Sequence, residues 1–93
     1  MIDKEKAREL AWEKLKESSP RLIDQIEIVD DATMNIDYGW VFFYQSKEFL
    51  ETRNFSSRLA GNAPIIVDSQ GKCYVTGTAH PIQYYIDKYR TNS

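Results

Sequence analysis

Cys73 and His80 are the single cysteine and the single histidine of the 93-residue chain. A thiol nucleophile needs a base beside it, and His80 is the one imidazole able to serve. Cys73 stands in the run Cys73-Tyr74-Val75-Thr76, which reads as a strand, so a small packed hydrophobe is the simpler role. One Cys and one His do not fill a zinc shell without carboxylates at matched spacing. Ser56, Asp68 and His80 supply the residue types of a hydrolytic triad, but no Gly-x-Ser-x-Gly turn presents the serine. Gly71-Lys72 lacks the rest of a phosphate loop. Thr76-Gly77-Thr78 carries backbone N–H groups near a helix start, where an anion can bind, although a tight chain reversal explains it as well. His80, before Pro81, suits a cap or surface position. None of the many carboxylates falls in the apolar setting that raises a pKa for acid–base work. The residues therefore assign no catalytic group, no metal ligand and no cofactor, and the chain is expected not to be an enzyme.

The distribution of charge is less ordinary. The net charge is −2, with 12 basic and 14 acidic side chains. Residues 22–46 hold five acids (Asp24, Glu27, Asp30, Asp31 and Asp37) and no Lys or Arg. Such a stretch is either a solvated edge that keeps a sheet from associating or a negative patch that meets a basic partner. The weakly acidic balance argues against nucleic acid as a ligand, because phosphate binding needs a basic footprint. No segment approaches the roughly 20 apolar residues of a membrane span. Met1–Leu10 is charged and lacks the apolar centre of a signal peptide. A lone cysteine forms no internal disulfide, and a cytoplasmic location is expected.

Four kinds of element must position these groups. Asp3 is placed to cap a helix running to Ser18, with Ala7, Leu10, Ala11 and Leu15 as its apolar stripe. Pro20 ends it. Leu22–Val29 alternates as a strand, and Asp30–Thr33 suits a turn back into Met34, Ile36 and Tyr38. From Gly39 the pattern changes: Trp40-Val41-Phe42-Phe43-Tyr44 is large and apolar at every position, so this part of the strand is enclosed on both faces, with Gly39 marking a bend. Residues 46–61 are the least regular, with one helical turn capped at Ser56 and stopped at Gly61. Ile65–Val67 and Cys73–Thr76 form a hairpin about Ser69 and Gly71. Pro81 starts a last helix whose stripe is Ile82, Tyr85, Ile86 and Tyr89, and Thr91–Ser93 should fray. The sum is a single α+β domain over residues 1–93: a small antiparallel sheet of about four strands with N- and C-terminal helices packed on it.

Several phrases together resemble a small bacterial family, YrhB or immunity protein 35. They are Gly39-Trp40-Val41-Phe42-Phe43-Tyr44, Phe49-Leu50-Glu51-Thr52, Leu59-Ala60-Gly61-Asn62-Ala63-Pro64-Ile65-Ile66-Val67-Asp68, Thr76-Gly77-Thr78-Ala79-His80-Pro81 and Tyr84-Tyr85-Ile86. The chain departs at Arg53-Asn54, where the family more often has Gly-Asp, and its 68–73 hairpin is short for the family. The resemblance implies a non-enzymatic protein of polymorphic toxin systems that binds a cognate toxin and blocks it. It brings no catalytic residues with it. The exposed acids Asp24, Glu27, Asp30, Asp31 and Asp37 are the expected partner-binding residues, on a hairpin facing a basic toxin. The alternative is a small chaperone-like or general interaction module, with its aromatics partly exposed. A monomer or weak homodimer is expected.

Overall fold

The computed structural model describes residues 1–54 and 63–90. The expected Ser56–Gly61 turn and the expected fraying of Thr91–Ser93 fall outside them. In chain order the elements are α1 (Lys4–Ser18), β1 (Ile26–Ile28), β2 (Met34–Ile36), β3 (Gly39–Phe42), β4 (Tyr44–Ser46), α2 (Lys47–Thr52), β5 (Ile65–Asp68), β6 (Cys73–Val75) and α3 (Ile82–Arg90). Short 3-10 turns at Ile23–Gln25 and Asp30–Ala32 flank β1.

The strands form an antiparallel four-stranded sheet in the order β2-β3-β5-β6 and a separate antiparallel ribbon of β1 and β4. The fold is α+β, with helices at both ends of the chain. The two helices take opposite faces of the large sheet. Ala7, Ala11 and Leu15 of α1 pack with Phe42, Ile65 and Val67, and the ribbon closes that core with Ile26 and Ile28. Tyr85 and Ile86 of α3 pack with Val41, Ile66 and Tyr74 on the other face. The side chains from Trp40 to Tyr44, along β3 and into β4, divide accordingly. Trp40, Phe42 and Tyr44 turn toward α1, while Val41 and Phe43 turn toward α3. Val41 and Phe42 are fully buried, as a strand covered on both sides requires.

The caps follow the sequence. Asp3 accepts a hydrogen bond from Lys6 N at 2.8 Å and starts α1. The β5–β6 turn is organised by Asp68, whose Oδ1 accepts from Gln70 N and Lys72 N at 3.0 and 2.9 Å, while Tyr74 Oη donates to Oδ2 at 3.3 Å. Three donors satisfy this 3% exposed carboxylate. Gly71 takes the left-handed conformation at φ 88°.

Two expectations are corrected. Residues 22–29 are not one strand, because Ile23–Gln25 forms a 3-10 turn that bonds locally: Gln25 N donates to Leu22 O at 2.8 Å. Nor do β1 and β2 form the first hairpin. The chain reverses at Asp37-Tyr38, so β2 pairs with β3 (Met34 with Val41, Ile36 with Gly39), while β1 pairs with β4 (Ile26 with Ser46, Ile28 with Tyr44). The reversal presses Gly39 against β5. A Cβ there would overlap the Val67 carbonyl oxygen and lie 2.7 Å from Asp68 Cα, so the glycine is needed for the close approach of the two strands.

Candidate functional site

The ribbon is built from short segments because its strands continue other elements. β4 follows β3 directly, and the chain leaves the large sheet at Phe43, where Phe43 O accepts from Val29 N at 2.8 Å. Beyond Ser46 the chain turns into α2. Ser46 is the cap, its Oγ accepting from Phe49 N at 3.0 Å. α2 ends at Arg53 in the left-handed conformation, φ 59°, with its guanidinium 5.7 Å from the Phe49 ring centre.

The five acids expected at a partner face do not share one hairpin. Asp24 sits in the turn before β1, Glu27 at the centre of β1 with its side chain in solvent, and Asp30 and Asp31 in the turn after it. Asp37 is elsewhere, in the β2–β3 reversal. Two of the five are paired. Asp30 takes a bidentate contact from Arg8 of α1, at 2.7 Å to Nε and 3.3 Å to the terminal nitrogen. Asp37 takes another from Arg90 of α3, at 2.8 and 3.1 Å. Asp24, Glu27 and Asp31 have no ion pair among the described residues.

Sequence reasoning missed Glu48 as a member of this face. A half-open groove of about 510 Å³ runs where the ribbon meets α2, lined by Leu22, Asp24, Gln25 and Ile26 on one side and Ser46, Lys47 and Glu48 on the other. The available signal was Ser46, a cap residue directly after an apolar strand, which places Glu48 in a first helical turn. A carboxylate is favoured there by the unsatisfied N–H groups.

Arg90 is the hub of a second cluster. It also donates to Asp87 Oδ1 at 2.7 Å, and Gln83 Nε2 donates to the same oxygen at 3.0 Å. Its hydrogen bonds hold the Asp37 and Asp87 carboxyls below their ordinary values, and the two carboxylates push the guanidinium up in turn. Tyr38 Oη donates to Ile86 O at 2.7 Å, and burial raises its phenol. The cluster ties the β2–β3 turn to the end of α3.

The groups considered for catalysis are dispersed. Cys73 is half-buried against the α1-side core, and burial pushes its thiol up, so it stays protonated at neutral pH. His80 is exposed and stacked on Tyr84, ring centres 4.0 Å apart. Asp68 is enclosed in its own turn, and Ser56 lies outside the described residues. Among the described residues no group of three or more His, Cys, Asp or Glu is arranged to hold a metal ion. No described helix is long and apolar enough to cross a membrane.

Comparison with known proteins gives two matches. The family model described as immunity protein 35 matches residues 5–90. The chain is also 46% identical over 52 residues to the uncharacterised protein YrhB of Escherichia coli strain K12, an alignment that covers 55% of each chain. The match thus spans about half the length of that curated relative. No solved structure matches the chain.

Proposed function

We propose that this chain, which belongs to the immunity protein 35 family, binds a cognate bacterial toxin and neutralises it by occupying its surface, without chemistry of its own. The observation that carries the reading is the family match, which runs from α1 to the end of α3. The dispersal of Cys73, His80 and Asp68 into three structural settings is in keeping with a binding role. The contact face is the ribbon with its flanking turns, and the partner surface is basic. Asp24, Glu27 and Asp31 present unpaired carboxylates there. Asp30 adds to this negative field with its charge partly offset by Arg8, whereas Asp37 is bound to Arg90 at the β2–β3 reversal and lies outside the proposed face. Complementary charge of this kind acts mainly on the rate of encounter. The protein works in the cytoplasm, where its toxin is made.

The chaperone-like alternative needs an apolar patch. Phe42 is 1% exposed, and Trp40 and Tyr44 pack against the α1-side core. The large hydrophobic side chains that are exposed among the described residues, Met1, Leu22, Val75 and Tyr84, come from four different segments.

Where a toxin is encoded beside this gene, co-expression with it should protect cells from killing. In purified proteins, Glu27→Lys with Asp31→Lys should slow association by about tenfold or more at low salt and flatten its salt dependence. Unchanged rates at every ionic strength would place the contact on another face, and failure to protect against the adjacent toxin would remove the immunity reading itself.

A further inference from the structure

The groove between the Leu22–Gln25 turn and the start of α2 combines features that the open ribbon lacks. Its floor is Ile26, which is 1% exposed. Its rim carries Leu22, 41% exposed although large and apolar. Asp24 from the turn before β1 and Glu48 from the first turn of α2 both line this space, and neither has an ion pair among the described residues. Among the described residues Lys47 is the one cation on the lining. It stands at the boundary with a neighbouring cleft that holds Glu27, so carboxylates flank it on both sides.

We infer that this groove is a socket for one arginine side chain of the protein partner. Arginine has a long apolar stem and a planar cationic head with five donors. The stem would lie along Leu22, covering apolar surface now open to water. The head would bridge Asp24 and Glu48, replacing two solvated carboxylates with charge-assisted hydrogen bonds. A cavity of about 510 Å³ accommodates such a side chain together with part of its own backbone. Anchors of this type, buried at the centre and ringed by weaker contacts, dominate the energetics of protein interfaces, and Arg is among the residues enriched there. An acidic partner residue is disfavoured by the two carboxylates. A purely apolar one would leave both carboxylates desolvated and unpaired.

The inference rests on the immunity reading for the identity of the partner but not for the chemistry of the socket, so two measurements separate them. In the first, the ¹⁵N-labelled chain is titrated with a short capped peptide, Gly-Leu-Arg-Gly, and with its citrulline counterpart. The arginine peptide should shift the amides of Leu22–Ile26 and Ser46–Glu48, and the citrulline peptide should not. Asp24→Asn with Glu48→Gln should abolish the response while leaving the rest of the spectrum in place. In the second, the same double variant is measured against the adjacent toxin, with a loss of about 10- to 100-fold in affinity expected for two charge-assisted contacts. Absence of arginine-dependent shifts, or shifts spread evenly over the acidic surface, overturns the socket whatever the toxin does. Intact affinity of the double variant for a toxin that the wild type neutralises also overturns it, while leaving the immunity reading standing. Localised shifts without protection in cells would keep the socket and discard the toxin as its occupant.

Discussion

The sharpest test of the architecture lies in two adjacent phenylalanines. Phe42 and Phe43 are chemically identical neighbours, but they serve different places. Phe42 is 1% exposed and belongs to the core formed by α1, the ribbon and the large sheet. Phe43 is half-buried, stands at the corner where the chain leaves that sheet, and packs at the margin of the α3-side core. Removing a fully enclosed ring costs the transfer energy of its atoms and leaves a cavity, about 3–5 kcal/mol for Phe→Ala. Removing a half-covered ring, whose site water can refill, should cost about half as much. Total stability for a chain of this length is about 5–14 kcal/mol, so Phe42→Ala consumes a large share of it. At about 4–8 °C per kcal/mol the melting temperature should fall by at least about 12 °C, and by roughly half that for Phe43→Ala. Urea titration followed by tryptophan fluorescence is the assay, since Trp12 and Trp40 both pack against the core that contains Phe42. The midpoint should move while the slope stays constant. Equal losses in the two variants, or a loss below about 1 kcal/mol for Phe42→Ala, would refute the facing assigned to β3.

Three further outcomes follow from named contacts. Gly39→Ala puts a methyl group into the Val67 carbonyl and should cost about 1–3 kcal/mol, read as a lower urea midpoint. Arg53→Gly should raise stability by a few tenths to about 1 kcal/mol. It relieves the left-handed strain at φ 59° and loses only the contact with Phe49, so a lower melting temperature would contradict the cap assignment. The Arg90 cluster predicts a pH dependence. Because the Asp37 and Asp87 carboxyls are depressed in the folded state, their contribution is complete above the ordinary carboxylate value near pH 4 and is lost as pH falls through the folded values below it. Melting temperatures of wild type and Arg90→Gln should thus differ by a constant amount from about pH 5 to 8 and converge as pH falls well below the ordinary carboxylate value, and a gap that widens in acid would refute the assignment.

The two terminal helices were readable because each is specified locally, whereas α2 (Lys47–Thr52) fell in a stretch that reads as irregular. Asp3 and the Ala7, Ala11, Leu15 stripe define α1 within a few residues of themselves, as Ile82, Tyr85, Ile86 and Tyr89 define α3. The enclosed strand was readable as far as Phe42 for the same reason, since a run of large apolar residues admits no wet face, but its break at Phe43 and the transfer of Tyr44 to the ribbon were not. The reversal at Asp37-Tyr38 was hidden. Met34, Ile36 and Tyr38 stay in phase with the apolar run after Gly39, and neither turn residue is Gly or Pro, so a continuous strand fits the pattern equally well. The partner of β1 was hidden because pairing with β4 is decided in three dimensions. The acidic character of residues 22–46 was legible as composition. Which acids stay unpaired was not, because Asp30 and Asp37 meet arginines 22 and 53 residues away in sequence.

The passage from β3 into β4 has a mechanical meaning. Gly39–Ser46 runs through two sheets with a single unpaired residue between them, and that residue's carbonyl is itself held by Val29. One end of this rod is clamped between two helices, so the ribbon is a stiff outrigger rather than a tethered flap. A partner that lands on it meets a surface already ordered, and little chain entropy remains to be removed on docking. Recognition through such a support favours fast capture over gradual adaptation, and tolerates little variation in the shape of what is captured.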